Sequence, residues 1–140
     1  MEIVIRSLLE GARVARGTVV IVDVLRCFTT AAVALARGAD KIIMVAEPDE
    51  ALELRHRGVG ELCMGEVGGI RPEKFDYGNS PSELSRADVQ GKTLIQSTRA
   101  GTVGITTVRN ACRIYGTSLV IAEATARAVE RHNPDIVTIV

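Results

Sequence analysis

Apolar, β-branched runs alternate along the chain with segments of helical periodicity, a pattern that predicts strands separated by helices. Segment 2–6 alternates polar and apolar residues, which predicts an edge strand. The run 18–23 is apolar and β-branched up to its final aspartate, as expected of a strand buried on both faces. Further runs predict five more strands, at 41–46, 61–65, 93–97, 118–122 and 135–140.

Helices are expected in the gaps between these strands. Apolar residues at helical spacing over 28–36 predict a helix that ends at Gly38, because glycine commonly terminates helices. Pro48 and the two acids after it favour a helix start, and Ser80-Pro81-Ser82-Glu83 is a capping-box sequence. A last helix is expected over 123–132, before the final strand.

The alternation predicts an α/β fold, a three-layer α/β/α domain with a mostly parallel or mixed central sheet. A chain of 140 residues suits one domain, 1–140. The irregular segment 66–80 is long for a compact domain, and such loops are often functional. No loop follows the strand predicted at 135–140, where open α/β sheets carry functional loops. We therefore expect a longer design, or completion of the sheet edge in a homo-oligomer.

Charge and cysteine content narrow the expected partners. The 17 basic residues balance 17 acidic ones, which argues against nucleic-acid binding by phosphate neutralisation. The longest uncharged run, 27–36, is far shorter than the roughly 18 residues that a membrane span needs. Three scattered cysteines, without a signal-peptide pattern, predict reduced thiols in the cytoplasm. We expect no nucleic-acid partner and no membrane association.

Polar clusters follow three of the predicted strands. They supply two carboxylates (Asp23 and Glu66), two guanidinium groups (Arg26 and Arg99) and the hydroxyl-rich segment 97–102. Because the carboxyl ends of parallel strands share one edge of a sheet, we expect these groups to converge. Arginine binds phosphate or sulfonate in a bidentate fork, and Mg²⁺ takes one or two carboxylates together with water. The residue types predict a site for an oxyanion and a divalent metal.

Each of these residues also has a purely structural interpretation. Asp23 could cap the next helix, Arg26 could pair with a helix acid, and Glu66 could be a solvated loop charge. Local turn and capping chemistry explains Asn79-Ser80. No nucleophile motif surrounds Cys27, so we interpret it as a small buried residue at a helix start. The coincidence of three clusters at one edge, rather than any single residue, favours a functional site.

Several segments together resemble the ComB-type 2-phosphosulfolactate phosphatases in order and spacing. The most specific are Phe75-Asp76-Tyr77-Gly78-Asn79-Ser80-Pro81 and the Gly91-Lys92-Thr93-Leu94-Ile95 that follows it. The segments at 22–26, 65–66 and 97–102 complete the match, which extends over nearly all of 18–140. The resemblance implies a ComB-like fold and an Mg²⁺-dependent hydrolase that converts 2-phosphosulfolactate to sulfolactate and phosphate, on the route to coenzyme M.

The chain departs from the family pattern in two ways. The family commonly has Thr-Asn-Gly-Thr where this chain has Thr98-Arg99-Ala100-Gly101-Thr102, which is one residue longer and adds an arginine. The family also continues past the position that matches Val140. The chain therefore resembles the N-terminal and middle part of a longer phosphatase. An alternative function is a non-catalytic oxyanion-binding α/β domain without its catalytic half, and a second alternative is a structural or assembly domain.

The hypothesis assigns a role to each polar residue. Asp23, Arg26 and Glu66 are the expected catalytic residues, and Asp23 and Glu66 the expected Mg²⁺ ligands. The expected ligand is a small anionic phosphorylated substrate. The expected substrate-binding residues are Asn79, Ser80, Ser97, Thr98, Arg99, Gly101 and Thr102.

Overall fold

The computed structural model describes the whole chain, Met1–Val140, as strands that alternate with helices. The strands are β1 (Glu2–Ile5), β2 (Arg16–Val22), β3 (Lys41–Val45), β4 (Leu62–Gly65), β5 (Tyr77–Gly78), β6 (Thr93–Ser97), β7 (Asn110–Thr117) and β8 (Ile136–Ile139). The helices are α1 (Leu8–Val14), α2 (Cys27–Ala36), α3 (Pro48–His56), α4 (Pro81–Leu84), α5 (Gly101–Thr107) and α6 (Ala122–Arg131), with a 3₁₀ turn at Leu119–Ile121.

The strands form two four-stranded sheets rather than a single continuous one. The first sheet has the order β1-β8-β2-β7 and the second has the order β3-β6-β4-β5. All strand pairs within both sheets are parallel. Helices cover both faces, which confirms the three-layer α/β prediction.

Strand β2 is buried on both faces, as its β-branched run predicted. Val19 and Ile21 pack on one face against a cluster that includes Phe28 of α2. Val20 packs on the opposite face against Val129 of α6. Burying a side chain of this size stabilises the fold by roughly 1.5–3 kcal/mol. The alternation of inward faces places β2 in the middle layer.

Strand β6 occupies the corresponding position in the second sheet. Leu94 packs with Leu84 of α4 on one face, and Ile95 packs with Ala51 of α3 on the other. These side chains are fully buried, with relative exposures of 0%. The carboxyl end of β6 is therefore anchored in the core.

Helix α2 joins the two sheets. Its first turn contributes Phe28 to the core of the first sheet, and its last turn contributes Ala34 to the core of the second. A buried hydrogen bond adds to this link, because Gln96 Nε2 of β6 donates to the Cys27 carbonyl at 3.0 Å. The carboxyl ends of β2 and β6 are thereby tied through the start of α2.

Glycine is required where β4 meets β6. Gly65 has φ +151°, and a Cβ there would lie 1.8 Å from the Ser97 carbonyl oxygen. No side chain fits at this distance, so only glycine lets the two strand ends approach. Gly38, with φ +93°, follows α2 where the sequence predicted its end.

The strand predicted at 118–122 is wrong. The strand of this region is β7, which ends at Thr117, and the run after it forms the 3₁₀ turn and the start of α6. Leu119 and Val120 are exposed, so this apolar run does not enter the core. The strand of this region is the segment whose backbone pairs with β2. A short apolar run alone does not distinguish a strand from a helix.

Other elements agree with the sequence or were not predicted from it. The capping-box helix begins at Pro81 and the edge strand β1 is present. Helices α1 and α5 were not predicted, and the segment expected to be irregular contains the short strand β5. None of the helices combines the length and apolar character that a bilayer-spanning segment requires.

Candidate functional site

Polar residues follow the carboxyl ends of three neighbouring strands in the second sheet. Strand register pairs Gly65 of β4 with Ser97 of β6 on one side and with Gly78 of β5 on the other. Three polar residues come next on these neighbouring strands: Thr98, Glu66 and Asn79. The predicted convergence of strand ends is therefore present in this sheet.

Asp23 joins this group from the first sheet. It follows β2, and its backbone N–H donates to the Thr117 carbonyl at 3.0 Å. Burial raises the pKa of the Asp23 carboxyl above its ordinary value, and the negative charge of Glu66 raises it further. The backbone N–H of Gly101 and the positive charge of Arg26 oppose this rise in pKa. A Cβ at Gly101 would lie 3.1 Å from Asp23 Oδ2, so the Asp23 carboxylate lies against the start of α5.

Glu66 ties two loops together at the same edge. Its Oε1 accepts a hydrogen bond from the Arg99 backbone N–H at 2.9 Å, and its Oε2 accepts one from Gly69 N–H at 2.7 Å. Each carboxylate oxygen therefore has one protein partner and one remaining lone pair directed elsewhere. Glu66 is half-buried, so it is not the solvated loop charge of the alternative interpretation.

Three hydroxyl groups at this edge are engaged within the protein. The Thr98 backbone N–H donates to Thr102 Oγ1 at 2.8 Å, and the Thr102 N–H donates back to Thr98 Oγ1 at 3.2 Å. Ser97 Oγ donates to the Ala46 carbonyl at 3.3 Å. All three residues are buried. In this structure their hydroxyls shape the turn into α5 and fasten β6 to the end of β3.

Two guanidinium groups lie at the surface of the site. Arg26 is exposed and precedes α2 with φ +126°, a backbone conformation that costs a non-glycine residue of order 1–3 kcal/mol. No side chain caps the start of α2. Arg99 is also exposed, and its Nη1 lies 3.9 Å from the Glu47 carboxylate beyond β3. Neither guanidinium is buried in an ion pair, so both are accessible to an anion.

Asn79 and Ser80 differ in what they do. Ser80 caps α4, because its Oγ accepts a hydrogen bond from Glu83 N–H at 3.3 Å. Asn79 is only 8% exposed, and its Oδ1 has no hydrogen-bond partner. A buried unpaired acceptor costs about 1–3 kcal/mol, so Asn79 is the residue of this pair with unused binding capacity.

The two carboxylates are a donor set that fits Mg²⁺. The structure contains no group of three or more His, Cys, Asp or Glu residues suited to a metal ion. Mg²⁺ is commonly bound through one or two carboxylates and retains several waters, so the residue types of Asp23 and Glu66 are compatible with this cation. Burial is the main cause of the raised pKa of the Asp23 carboxyl, and the negative charge of Glu66 adds to it.

Cys27 is the first residue of α2 and is fully buried, in agreement with its structural interpretation. Burial raises the pKa of its thiol to about 12, and the nearby charge of Asp23 contributes to the rise. The thiol therefore stays protonated at neutral pH and is a poor nucleophile. Its role at the site is to pack in the core.

An apolar cavity of about 750 Å³ opens beside Asp23. Its lining includes Leu8, Leu9 and Val24 together with Arg99. The sequence analysis did not predict this cavity, because it predicted no helix at the position of α1. Glu47 and Glu83 were also missed as neighbours of predicted site residues, although Glu83 belongs to the recognised capping box.

Comparison with known proteins adds an independent observation. Residues 3–140 match the family model described as 2-phosphosulpholactate phosphatase. The chain is 42% identical over 119 residues to the probable 2-phosphosulfolactate phosphatase of Carboxydothermus hydrogenoformans, covering 85% of this chain and 49% of that protein. It is 34% identical over 132 residues to the probable 2-phosphosulfolactate phosphatase of Clostridium acetobutylicum, covering 94% and 56%.

A third relative gives similar coverage. The probable 2-phosphosulfolactate phosphatase of Thermoplasma acidophilum is 36% identical over 110 residues, which cover 79% of this chain and 50% of that protein. The chain thus spans about half the length of the curated relatives it matches.

Proposed function

Since the chain belongs to the 2-phosphosulfolactate phosphatase family, we propose that it takes part in Mg²⁺-dependent hydrolysis of a small phosphomonoester. The proposed substrate is 2-phosphosulfolactate or a related anion, with sulfolactate and phosphate as products. The relatives' names and the site chemistry support this reaction. The proposed route is of the coenzyme M type. The proposed setting is the cytoplasm, where free cysteines stay reduced.

One observation carries the proposal. The carboxylates of Asp23 and Glu66 border the same turn into α5, because a Cβ at Gly101 would lie 3.1 Å from Asp23 Oδ2 and Glu66 Oε1 accepts a hydrogen bond from the Arg99 N–H at 2.9 Å. Arg26, exposed at the start of α2, follows Asp23 by three residues. Paired carboxylates beside an exposed guanidinium can hold a cation and an oxyanion in contact. Simple helix capping by Asp23 would not require Glu66 at the same place.

Arg26 and Arg99 are the proposed anion-binding residues. Both guanidinium groups are exposed and can fork onto phosphate or sulfonate oxygens. The first N–H groups of α2 have no side-chain cap, and its first turn has no acid, which favours an anion there. Arg26 would hold the phosphoryl group, and Arg99 would hold the second anionic group of the substrate.

Asp23 and Glu66 are the proposed Mg²⁺ ligands. When bound there, the cation would neutralise phosphoryl charge and lower the pKa of a bound water. Glu66 keeps the Arg99 backbone in place through its own hydrogen bond, so the metal and anion positions are linked in the protein. Asn79 Oδ1 has no hydrogen-bond partner in the protein, and it would orient a water or a substrate hydroxyl by accepting a hydrogen bond from it.

The other predicted substrate-binding residues are proposed to shape the loops at the carboxyl ends of the strands. Gly101 lets the backbone of α5 approach the Asp23 carboxylate, because a Cβ there would lie 3.1 Å from Oδ2. Ser97, Thr98 and Thr102 fix that turn through their hydrogen bonds, and Ser80 fixes the helix after Asn79. Each of these residues would therefore affect substrate binding indirectly, by fixing the position of its own loop.

The test is phosphate release from 2-phosphosulfolactate by the 140-residue chain, with Mg²⁺ and with EDTA. We expect turnover that EDTA abolishes and that Asp23→Asn lowers by at least about tenfold, the loss of one hydrogen-bonded charge. Asp49→Asn, at an exposed acid in the first turn of α3, is the matched control and keeps activity. Turnover that is equal with EDTA would contradict the metal's role.

A second candidate function is oxyanion binding without catalysis. The exposed guanidinium groups of Arg26 and Arg99 and the uncapped start of α2 are features that bind an anion, whereas the hydroxyls of the segment after β6 are engaged within the protein. Binding of 2-phosphosulfolactate by the folded chain, measured by calorimetry, without phosphate release would favour this oxyanion-binding function. Turnover would exclude it.

A further inference from the structure

Glu83 brackets Asn79 in the chain. The Gly78 backbone N–H donates to Glu83 Oε2 at 2.9 Å, and the Glu83 backbone N–H donates to Ser80 Oγ at 3.3 Å. The residues on either side of Asn79 are therefore both bonded to the same glutamate. Asn79 has little freedom to move away from the edge of the sheet.

This arrangement differs from an ordinary capping box. In a capping box the glutamate side chain returns to the backbone N–H of the capping serine. Here the Glu83 carboxylate reaches past Ser80 to Gly78, the last residue of β5. A Cβ at Gly78 would lie 3.1 Å from Glu83 Oε2, so the absence of a side chain allows this approach. The carboxylate thus fixes the strand end rather than the helix start.

Arg71 holds the Glu83 carboxylate from the opposite side. Its Nη1 donates to Glu83 Oε1 at 3.4 Å and to the Asp76 carbonyl at 3.2 Å. Arg71 and Glu83 are partly exposed, so this ion pair contributes orientation more than stability. The segment that carries Asn79 is fastened at both of its ends.

The contacts of Glu83 with Gly78, Ser80 and Arg71 fix the position of Asn79. It is 8% exposed with an unpaired Oδ1, and it follows Gly78, whose strand partner Gly65 directly precedes Glu66. We infer that Glu83 is a positioning residue, which acts through Asn79 on the water or substrate hydroxyl at the site. The inference rests on the proposed function and extends it to a residue outside the site itself.

A double-mutant cycle tests the inference with the complete 140-residue chain, measuring kcat/KM for phosphate release in Mg²⁺. Asn79→Ala and Glu83→Ala are each expected to lower kcat/KM about tenfold, the value of one hydrogen bond. The double variant is expected to lose no more than either single variant. Glu83→Gln, which keeps an acceptor for Gly78, is expected to restore activity to within about twofold.

Glu73→Ala is the matched control, because Glu73 is an exposed acid in the same loop. It is expected to leave kcat/KM unchanged. Losses of Asn79→Ala and Glu83→Ala that multiply in the double variant would overturn the inference, because Glu83 would then act independently of Asn79.

A second measurement does not depend on the reaction. Side-chain amide resonances of Asn79, observed by ¹H–¹⁵N NMR, are expected to shift in Glu83→Ala and to stay in place in Glu83→Gln and Glu73→Ala. Unshifted resonances in Glu83→Ala would overturn the inference even if the chain is active. If the wild-type chain shows neither turnover nor binding, the proposed function fails, while the resonance shift still decides whether Glu83 positions Asn79.

Discussion

The thiol of Cys27 lies directly against the backbone of Gly101, where the first turns of α2 and α5 meet. A methyl group at residue 101 would be 2.5 Å from Cys27 Sγ and 3.1 Å from Asp23 Oδ2. Gly101→Ala is therefore expected to push α2 away from α5 and to destabilise the chain by about 1–3 kcal/mol. Urea denaturation measures this loss, and an unchanged free energy of unfolding would contradict the close packing.

Asp23→Asn is expected to stabilise the folded chain at neutral pH in the absence of metal. Burial raises the pKa of the Asp23 carboxyl, so the folded state holds this proton more tightly than the unfolded state. The contribution of Asp23 to stability is therefore greatest below its ordinary pKa of 3.8 and declines as pH rises through the raised value.

Thermal melts of both proteins as a function of pH measure this effect. The Tm of Asp23→Asn should exceed that of the wild type at pH 7 and approach it near pH 3. Asp49→Asn is the control, because Asp49 is exposed and its substitution should not change this pH dependence. A lower Tm for Asp23→Asn at pH 7 would show that the hydrogen bond from Gly101 outweighs burial of the charge.

Mg²⁺ is expected to reverse this order. A cation on Asp23 and Glu66 would bind only the folded state and raise its Tm by mass action. The wild type should therefore gain stability with millimolar Mg²⁺, while Asp23→Asn should gain much less. Equal shifts for both proteins would place the metal elsewhere. Differential scanning fluorimetry with a Ca²⁺ series for comparison is sufficient.

Arg26 is expected to support activity through its guanidinium group and to lower stability through its strained backbone conformation. Arg26→Ala removes the guanidinium and should lower phosphate release about 10–100-fold, the value of one or two charged hydrogen bonds. Arg26→Gly should lose the same activity and also gain about 1 kcal/mol of stability, because glycine tolerates the φ of +126°. Equal losses of activity and stability in Arg26→Ala would assign Arg26 a structural role.

The three cysteines are expected to differ in reactivity. Cys27 and Cys63 are buried with raised pKa values, whereas Cys112 is exposed. Iodoacetamide at pH 8 should therefore alkylate Cys112 in the native chain, and all three thiols in urea. Mass spectrometry of the peptides reads the result. Rapid native alkylation of Cys27 would contradict its burial against Gly101.

Strands buried on both faces were predictable because burial dictates their residues. The run that became β2 has few alternatives, since apolar β-branched residues on both faces exclude an amphipathic helix. The edge strand β7 carries Asn110, Arg113 and other exposed residues, so its sequence does not distinguish a strand from a loop. The more apolar run after it was predicted instead, although nothing covers Leu119 there.

The site was predictable to the level of strand ends and no further. Parallel strands must end at a common edge, so Asp23, Glu66 and the residues after β6 were expected to meet. Hydrogen-bond partners depend on loop conformation, which spacing in the sequence does not determine. The mutual bonds of Thr98 and Thr102 and the reach of Glu83 to Gly78 are of this kind.

The division of the strands between two sheets has a mechanical consequence. Asp23 follows a strand of one sheet and Glu66 a strand of the other, and the elements that connect the two sheets include α2, α5 and the hydrogen bond from Gln96 to Cys27. A small rotation of one sheet against the other would change the separation of the two carboxylates while every strand stayed paired. The separation of the two carboxylates therefore depends on how firmly the helices between the sheets hold the sheets together.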